Sequence, residues 1–130
     1  MPRIDFKNLK KLWSDDDLQM AIPFYDSFIF NNIMGHAVCI PDFAFMNPIF
    51  FIEDNNLPFD PLIKDRVNQY CDGKSETLPT QSIFYKDKED FKAYLTFRCI
   101  NNRSTLGRPN LDHMSSNEFC FESWRQKNGS

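Results

Sequence analysis

The sequence predicts an α+β domain, a class that combines a short sheet with several helices. Two observations support this class. Helical patterns with recognisable capping residues occur near the start, the middle and the end of the chain, and residues 24–59 carry the aromatic and branched side chains typical of strands. The chain has 130 residues, of which 42% are hydrophobic. These values predict one compact domain over residues 1–130, with a short, mostly antiparallel sheet packed against three to five helices.

The first two elements are predicted to be short helices, and each follows a capping residue. Asp5 is a good N-cap, and apolar residues recur at helical spacing over residues 6–13. Ser14 would cap a second helix, in which Asp15–Asp17 favour the positive end of the helix dipole. Pro23 would end this helix, because proline cannot continue one.

The predicted sheet lies in the Phe-rich stretch that follows. Ser27–Ile33 and His36–Ile40 are rich in residues that favour strands, and they would pair through a turn at Met34 and Gly35. A further apolar run, Ile49–Glu53, indicates another strand. Prolines flank these segments, so we expect the strands to be short or to lie at sheet edges.

The clearest helix of the sequence comes next. Asp60 is a good N-cap, Pro61 suits the first helical position, and Gly73 can close the helix. Residues 74–81 are polar and predict a loop, and Ser82–Lys86 has the pattern of a strand.

Residues 87–101 fit two patterns. Phe91 and Tyr94 have helical spacing, whereas Phe97 and Cys99 alternate with polar residues as a half-buried strand does. We favour the helix, because residue 87 is an aspartate that can open an acidic first turn.

The end of the chain predicts a loop and a last helix. Residues 101–114 are polar and contain glycine and proline, which is typical of a loop. Ser115 and Glu118 have the spacing of a capping box, so we expect a helix from there toward Lys127, anchored by Trp124.

Charge is distributed unevenly along the chain. Residues 12–63 contain no lysine or arginine, yet they carry eight carboxylates, Asp15, Asp16, Asp17, Asp26, Asp42, Glu53, Asp54 and Asp60. The net charge is −3, and the first half offers no basic stripe that could neutralise phosphates. We therefore expect no direct binding of nucleic acid.

The sequence also suggests where the protein works. Apolar runs such as residues 48–52 are too short to cross a membrane, and the first residues do not form an apolar signal region. The four cysteines match no CxxC pattern, so we expect free thiols in a reducing compartment. These observations predict a soluble, cytoplasmic protein with no membrane contact, no metal site and no cofactor.

The two histidines support one enzymatic alternative. His36 and His113 could act as an acid and a base in phosphodiester cleavage, because imidazole titrates near neutral pH. No motif brings them together, and the chain has none of the usual phosphate-binding loops or hydrolase signatures. A small hydrolase or nuclease using His36 or His113 is therefore an alternative hypothesis.

The favoured hypothesis rests on four of the carboxylates. Helix starts explain the other four, whereas Asp26, Asp42, Glu53 and Asp54 lie on predicted turns among aromatic residues. An acidic face with aromatic anchors suits a protein partner with a basic surface. We therefore expect a small, non-enzymatic protein-binding domain, such as an inhibitor, an immunity protein or an anti-defence factor. An accessory subunit of a larger complex is the second hypothesis.

Overall fold

The computed structural model describes residues 2–36, 38–101 and 116–129. In this part of the chain the elements are α1 (Phe6–Leu12), β1 (Ala21–Ile22), α2 (Phe28–Met34), β2 (Ile49–Ile52), α3 (Asp60–Cys71), β3 (Glu76–Pro79), α4 (Phe91–Asn101) and α5 (Phe121–Asn128). The chain groups into two compact units, Met1–Ile52 with Leu62–Pro79 and Glu53–Pro61 with Thr80–Ser130. The prediction of a single domain stays a prediction.

The first unit contains a sheet of three strands in the order β1, β2, β3. Both pairs are parallel, with Ala21 opposite Ile49 and Phe50 opposite Thr77. The α+β class agrees with this architecture, but the expected mostly antiparallel sheet is wrong. The connections explain why: α2 separates β1 from β2, and α3 separates β2 from β3. Parallel strands need such crossovers, whereas a tight turn joins antiparallel strands.

The hairpin expected over residues 27–40 is wrong, because Phe28–Met34 is helix α2 and neither His36 nor residues 38–40 lie in a strand. Ser27 caps α2, because its hydroxyl accepts a hydrogen bond from the backbone N–H of Phe30 at 3.1 Å. Gly35 ends the helix and donates its N–H to the carbonyl of Asn31 at 2.9 Å. A Cβ at Gly35 would lie 2.9 Å from that same oxygen, so the chain needs glycine there. These caps outweigh the strand preference of the aromatic residues between them.

Three other assignments differ between sequence and structure. The helix expected over residues 14–23 is a turn followed by β1. The loop expected at residues 74–81 contains β3. The strand expected at Ser82–Lys86 reduces, within the described residues, to a single bridge between Tyr85 and Cys120.

The structure confirms several predicted helix starts. Asp5 caps α1, and its carboxylate accepts the backbone N–H of Asn8 at 2.8 Å. Helix α3 begins at Asp60. Residues 88–101 are helical, as a short 3-10 turn followed by α4, so the helix was the correct choice over the strand. None of the described helices is long and apolar enough to cross a membrane.

The last helix begins later than predicted. Helix α5 starts at Phe121, and its N-cap is Cys120, whose sulfur accepts the backbone N–H of Ser123 at 3.5 Å. Glu118 lies before the helix, and its carboxylate pairs with Lys88 at 3.2 Å. Of the loop predicted at residues 101–114, Asn101 is the last residue of α4, and residues 102–114 lie outside the described residues, as does Ser115.

Each unit buries its own apolar side chains. In the first unit these include Phe24, Phe50, Ile63 and Val67, which are shielded almost completely from solvent. In the second unit they are Leu57, Cys99, Phe119 and Cys120. All four cysteines of the chain are free thiols, of which only Cys39 is exposed.

Candidate functional site

The first unit carries a groove between α2 and α3, which we call the α2–α3 groove. Its volume is about 580 Å³, and its apolar wall includes Phe28 and Ile33 from α2, Leu62 and Tyr70 from α3, and Ile40. A neighbouring cleft of about 680 Å³ shares Ile40 and Tyr70 with the groove. The two spaces together form a concave surface whose apolar wall also carries polar and charged side chains, among them Asp42, Arg66 and Lys74.

The segment at the edge of the groove is held by one side chain of α2. The amide group of Asn32 donates to the carbonyl of Cys39 at 2.8 Å and accepts the N–H of Cys39 at 3.1 Å. These two bonds reproduce the pattern of a paired strand and fix Cys39 beside α2. The neighbouring side chains of Val38 and Ile40 are 94% and 75% exposed, the highest values among the large apolar side chains of the described residues.

Tyr70 lines the groove and also contacts an aromatic residue in the core of the first unit. Its ring lies 5.1 Å from that of Phe28 and 5.4 Å from that of Phe50, measured between ring centroids. Its hydroxyl donates to the carbonyl of Pro41 at 3.4 Å. Burial raises the pKa of Tyr70, and the nearby Cys71 and Asp42 raise it further. Tyr70 therefore stays protonated at neutral pH and can keep donating to the segment that borders the groove.

The charges at this site are mixed. Arg66 lines the groove, and Asp42 and Lys74 line the neighbouring cleft. None of the three forms a salt bridge with a described residue. Folding therefore places cations from the α3 region beside the stretch that has no lysine or arginine of its own. The charge around Asp42 is therefore mixed and not purely acidic.

The four predicted partner-binding residues lie in different environments. Asp26 is exposed just before α2 and lines neither of the two clefts. Asp42 is exposed in the neighbouring cleft, where its carboxylate accepts the N–H of Ala44 at 3.1 Å. Asp54 is exposed in the second unit, whereas Glu53 is only 5% exposed there. Three of the four are therefore open to solvent.

The carboxylate of Glu53 is used inside the second unit. It accepts the backbone N–H of Ser82 at 2.6 Å and the hydroxyl of Ser82 at 2.7 Å, each with a different oxygen. The side-chain amide of Asn55 donates to it at 3.3 Å. A buried carboxylate needs such donors, because burying a charge without them is costly. Glu53 is thus explained by the interior of its own unit.

Asn55 is the centre of the same polar network, which we call the Asn55 network. It is fully buried. Its backbone N–H donates to Asp60 at 2.9 Å, and its side-chain oxygen accepts from Gln81 at 2.6 Å. Its carbonyl accepts the hydroxyl of Ser116. Because these polar groups satisfy one another, the network fixes the loop rather than offering open ligands.

The structure leaves the enzymatic alternative untested. His36 is exposed, follows Gly35 with a positive φ of 54°, and lines neither of the two clefts. His113 lies outside the described residues. Among the residues that the structure describes, no group of three or more histidine, cysteine or acidic side chains could hold a metal ion.

Sequence reasoning missed Asn32, Ile40 and Tyr70, the residues that shape the groove. Ser27 and Gly35 are a good N-cap and a good helix end, and this spacing could have indicated α2 and hence the groove. Comparison of the chain with protein-family models, characterised proteins and solved structures finds no match. The functional inference therefore rests on the geometry and chemistry of the site itself.

Proposed function

We propose that this chain is a protein-binding domain of the inhibitor or immunity kind, and that its partner docks on the α2–α3 groove. The observation that carries the proposal is the exposure of Ile40, which lines the groove, together with that of Val38 two positions before it. Single exposed apolar residues are common, but large ones beside an apolar depression are typical of interaction sites.

The hydrogen bonds of Asn32 support this use of the segment. Binding is weakened when a loop must first become ordered, and a loop that is already held loses less freedom. Asn32 holds Cys39 at both its N–H and its carbonyl, so Val38 and Ile40 are presented in a fixed arrangement.

The lining of the site indicates the chemistry of the partner. Apolar side chains would fill the groove between Phe28, Leu62 and Tyr70. A lysine or arginine of the partner would meet Asp42, and the exposed Asp26 would add to the attraction. Arg66 and Lys74 limit how basic the partner can be at this point. We therefore propose a partner with an apolar segment that carries a basic residue at its edge.

Two matched variants test the proposal. Ile40 and Ile100 are 75% and 72% exposed, but Ile100 lies on α4, in the second unit. The tagged wild type, Ile40→Asp and Ile100→Asp would each be purified from cells of the source organism. We expect the amount of co-purified protein to fall at least about tenfold with Ile40→Asp, because burying one isoleucine contributes about 1.5–3 kcal/mol to binding.

The control variant shows whether the effect is specific to the groove. Ile100→Asp should recover the partner as well as the wild type does, and urea denaturation should show that both variants fold. Equal recovery with Ile40→Asp and the wild type would rule out the groove as the binding site.

A further inference from the structure

A second surface of the first unit consists of α1 and the turn that follows it, residues 3–18, which we call the α1 surface. Helix α1 has no buried residue. The large apolar side chains of Ile4, Leu12 and Leu18 are exposed, and Leu12 is 69% exposed. Phe6 is 42% exposed, and its ring lies 5.4 Å from that of Phe43, measured between ring centroids. The helix is thus attached on one side and open on the other.

Charge is divided along this surface. The basic half precedes Leu12 and contains Arg3, Lys7, Lys10 and Lys11 against Asp5, and the ammonium of Lys10 lies 5.6 Å from the ring centroid of Phe45. The acidic half follows Leu12 and contains Asp15–Asp17, all exposed. None of these side chains forms a salt bridge with a described residue, although opposite charges lie close along the chain.

Local hydrogen bonds hold the acidic half in place. The indole N–H of Trp13 donates to Asp15 at 2.6 Å, and the hydroxyl of Ser14 donates to Asp17 at 3.1 Å. The backbone also turns here, with the N–H of Leu18 donating to the carbonyl of Ser14 at 2.9 Å. Asp15 and Asp17 are therefore held by hydrogen bonds to Trp13 and Ser14, and not by ion pairs with the lysines.

We propose that the α1 surface binds the same surface of a second copy of this chain. In a two-fold interface, each residue of one copy meets a different residue of the other, and the contact is repeated in reverse. A surface with a basic half and an acidic half is complementary to itself under this symmetry. Leu12 separates the two halves, so the two-fold axis would pass near it and bring it close to Leu12 of the second copy. The lysines of each copy would then face the aspartates of the other.

The balance of charge favours a second copy over an anionic lipid surface. Within residues 3–18 the four basic side chains are matched by four carboxylates, Asp5 and Asp15–Asp17. Lipid headgroups would attract the lysines and repel the aspartates, whereas a second copy satisfies both. The surface is smaller than the roughly 20–30 residues a side of a standard interface, so the dimer should be weak and sensitive to salt.

A charge exchange between two variants tests this proposal. The first variant carries Lys7→Glu and Lys11→Glu, and the second carries Asp16→Lys and Asp17→Lys. All four positions are exposed, so both variants should fold. Each variant alone would place like charges face to face and should raise the dissociation constant of the dimer at least about tenfold, as measured by sedimentation equilibrium. An equimolar mixture of the two should restore a heterodimer, because every repulsive contact becomes attractive.

Controls separate this interface from the α2–α3 groove. Ile40→Asp lies outside the α1 surface and should dimerise as the wild type does, whatever the outcome of the partner experiment. Raising the salt concentration should weaken the wild-type dimer and the restored heterodimer alike. A wild type that stays monomeric up to about 1 mM would overturn the proposal. Charge variants that dimerise alone as well as the wild type does would overturn it too.

Discussion

The two units of this protein fix their internal structure by different means. In the first unit, a parallel sheet and packed aromatic rings dominate, with Phe50 buried beside Phe28 and Tyr70. In the second unit, buried hydrogen bonds around Glu53 and Asn55 tie together segments that are distant in sequence. Apolar packing depends on volume, whereas a polar network depends on every donor finding an acceptor. Substitutions should therefore damage the two units for different reasons.

The largest effect is expected in the core of the first unit. Phe50 is 1% exposed and lies on the central strand. Phe50→Ala should lower the free energy of unfolding by about 3–5 kcal/mol, because it leaves a cavity between aromatic rings. Urea denaturation measures this change, with Phe50→Leu as the control that keeps most of the volume. If Phe50→Ala and Phe50→Leu lower the free energy of unfolding equally, the volume of the side chain at this position is not what stabilises the unit.

The second effect tests the Asn55 network. Glu53→Ala should lower the free energy of unfolding by about 2–4 kcal/mol, since it removes one acceptor of the buried Asn55 and of the half-buried Ser82. Asp54→Ala, at the exposed neighbouring position, should cost under about 0.5 kcal/mol. Urea denaturation of both variants gives the comparison. Similar costs at the two positions would mean that the network does not stabilise the unit.

A smaller effect is expected at the edge of the groove. Asn32→Ala removes both hydrogen bonds to Cys39 and should lower the free energy of unfolding by about 1 kcal/mol. The amide of Cys39 should also exchange its hydrogen faster, as NMR can measure. Asn31→Ala changes an exposed neighbour and should leave this exchange unaltered. An unchanged rate in Asn32→Ala would show that another contact holds the segment.

The smallest effect concerns the pH dependence of the second unit. Burial alone would raise the pKa of Glu118, but hydrogen bonds from Ser123 and Lys88 and the charge of Lys88 outweigh burial, and the pKa is lowered. A carboxyl group with a lowered pKa stabilises the fold above its unfolded value of about 4.3, and this contribution disappears as the pH falls through the folded pKa.

We therefore expect the wild type to lose stability below about pH 4.3 more steeply than Glu118→Gln does. The difference should stay under about 1 kcal/mol, because the partner Lys88 is one-third exposed. Urea denaturation between about pH 7 and pH 3 measures both curves. Parallel curves would contradict the contribution of Glu118.

Three helix starts were predicted from the sequence, those at Asp5, Asp60 and Asp87, whereas the helix expected after Ser14 is a turn and a strand, and the start of α2 was missed. Asp5, Asp60 and Asp87 act locally, so a few neighbouring residues determine what they do. The direction of the sheet depends on whether residues 27–34 form a strand or a helix. The aromatic residues favour a strand, whereas the spacing of Ser27 and Gly35 indicates the helix, and the prediction gave more weight to the aromatic residues.

The candidate site shows the same limit. Glu53 and Asp54 are adjacent acidic residues, and the sequence treats them alike. Their different exposure follows from Ser82, which is 29 positions beyond Glu53 and supplies its donors. Likewise the cation that shares the cleft with Asp42 is Lys74, which follows α3, so the mixed charge of the cleft results from tertiary structure.

The proposal that the partner docks on the α2–α3 groove is tested most directly by amide hydrogen exchange. The exchange rates of the chain would be measured with and without its co-purified partner. Amides in residues 28–42 and 62–71 should exchange more slowly in the complex, because the partner would cover α2, the segment after it and α3. Slower exchange confined to residues 80–101 and 116–129, with the groove unchanged, would contradict the proposed site.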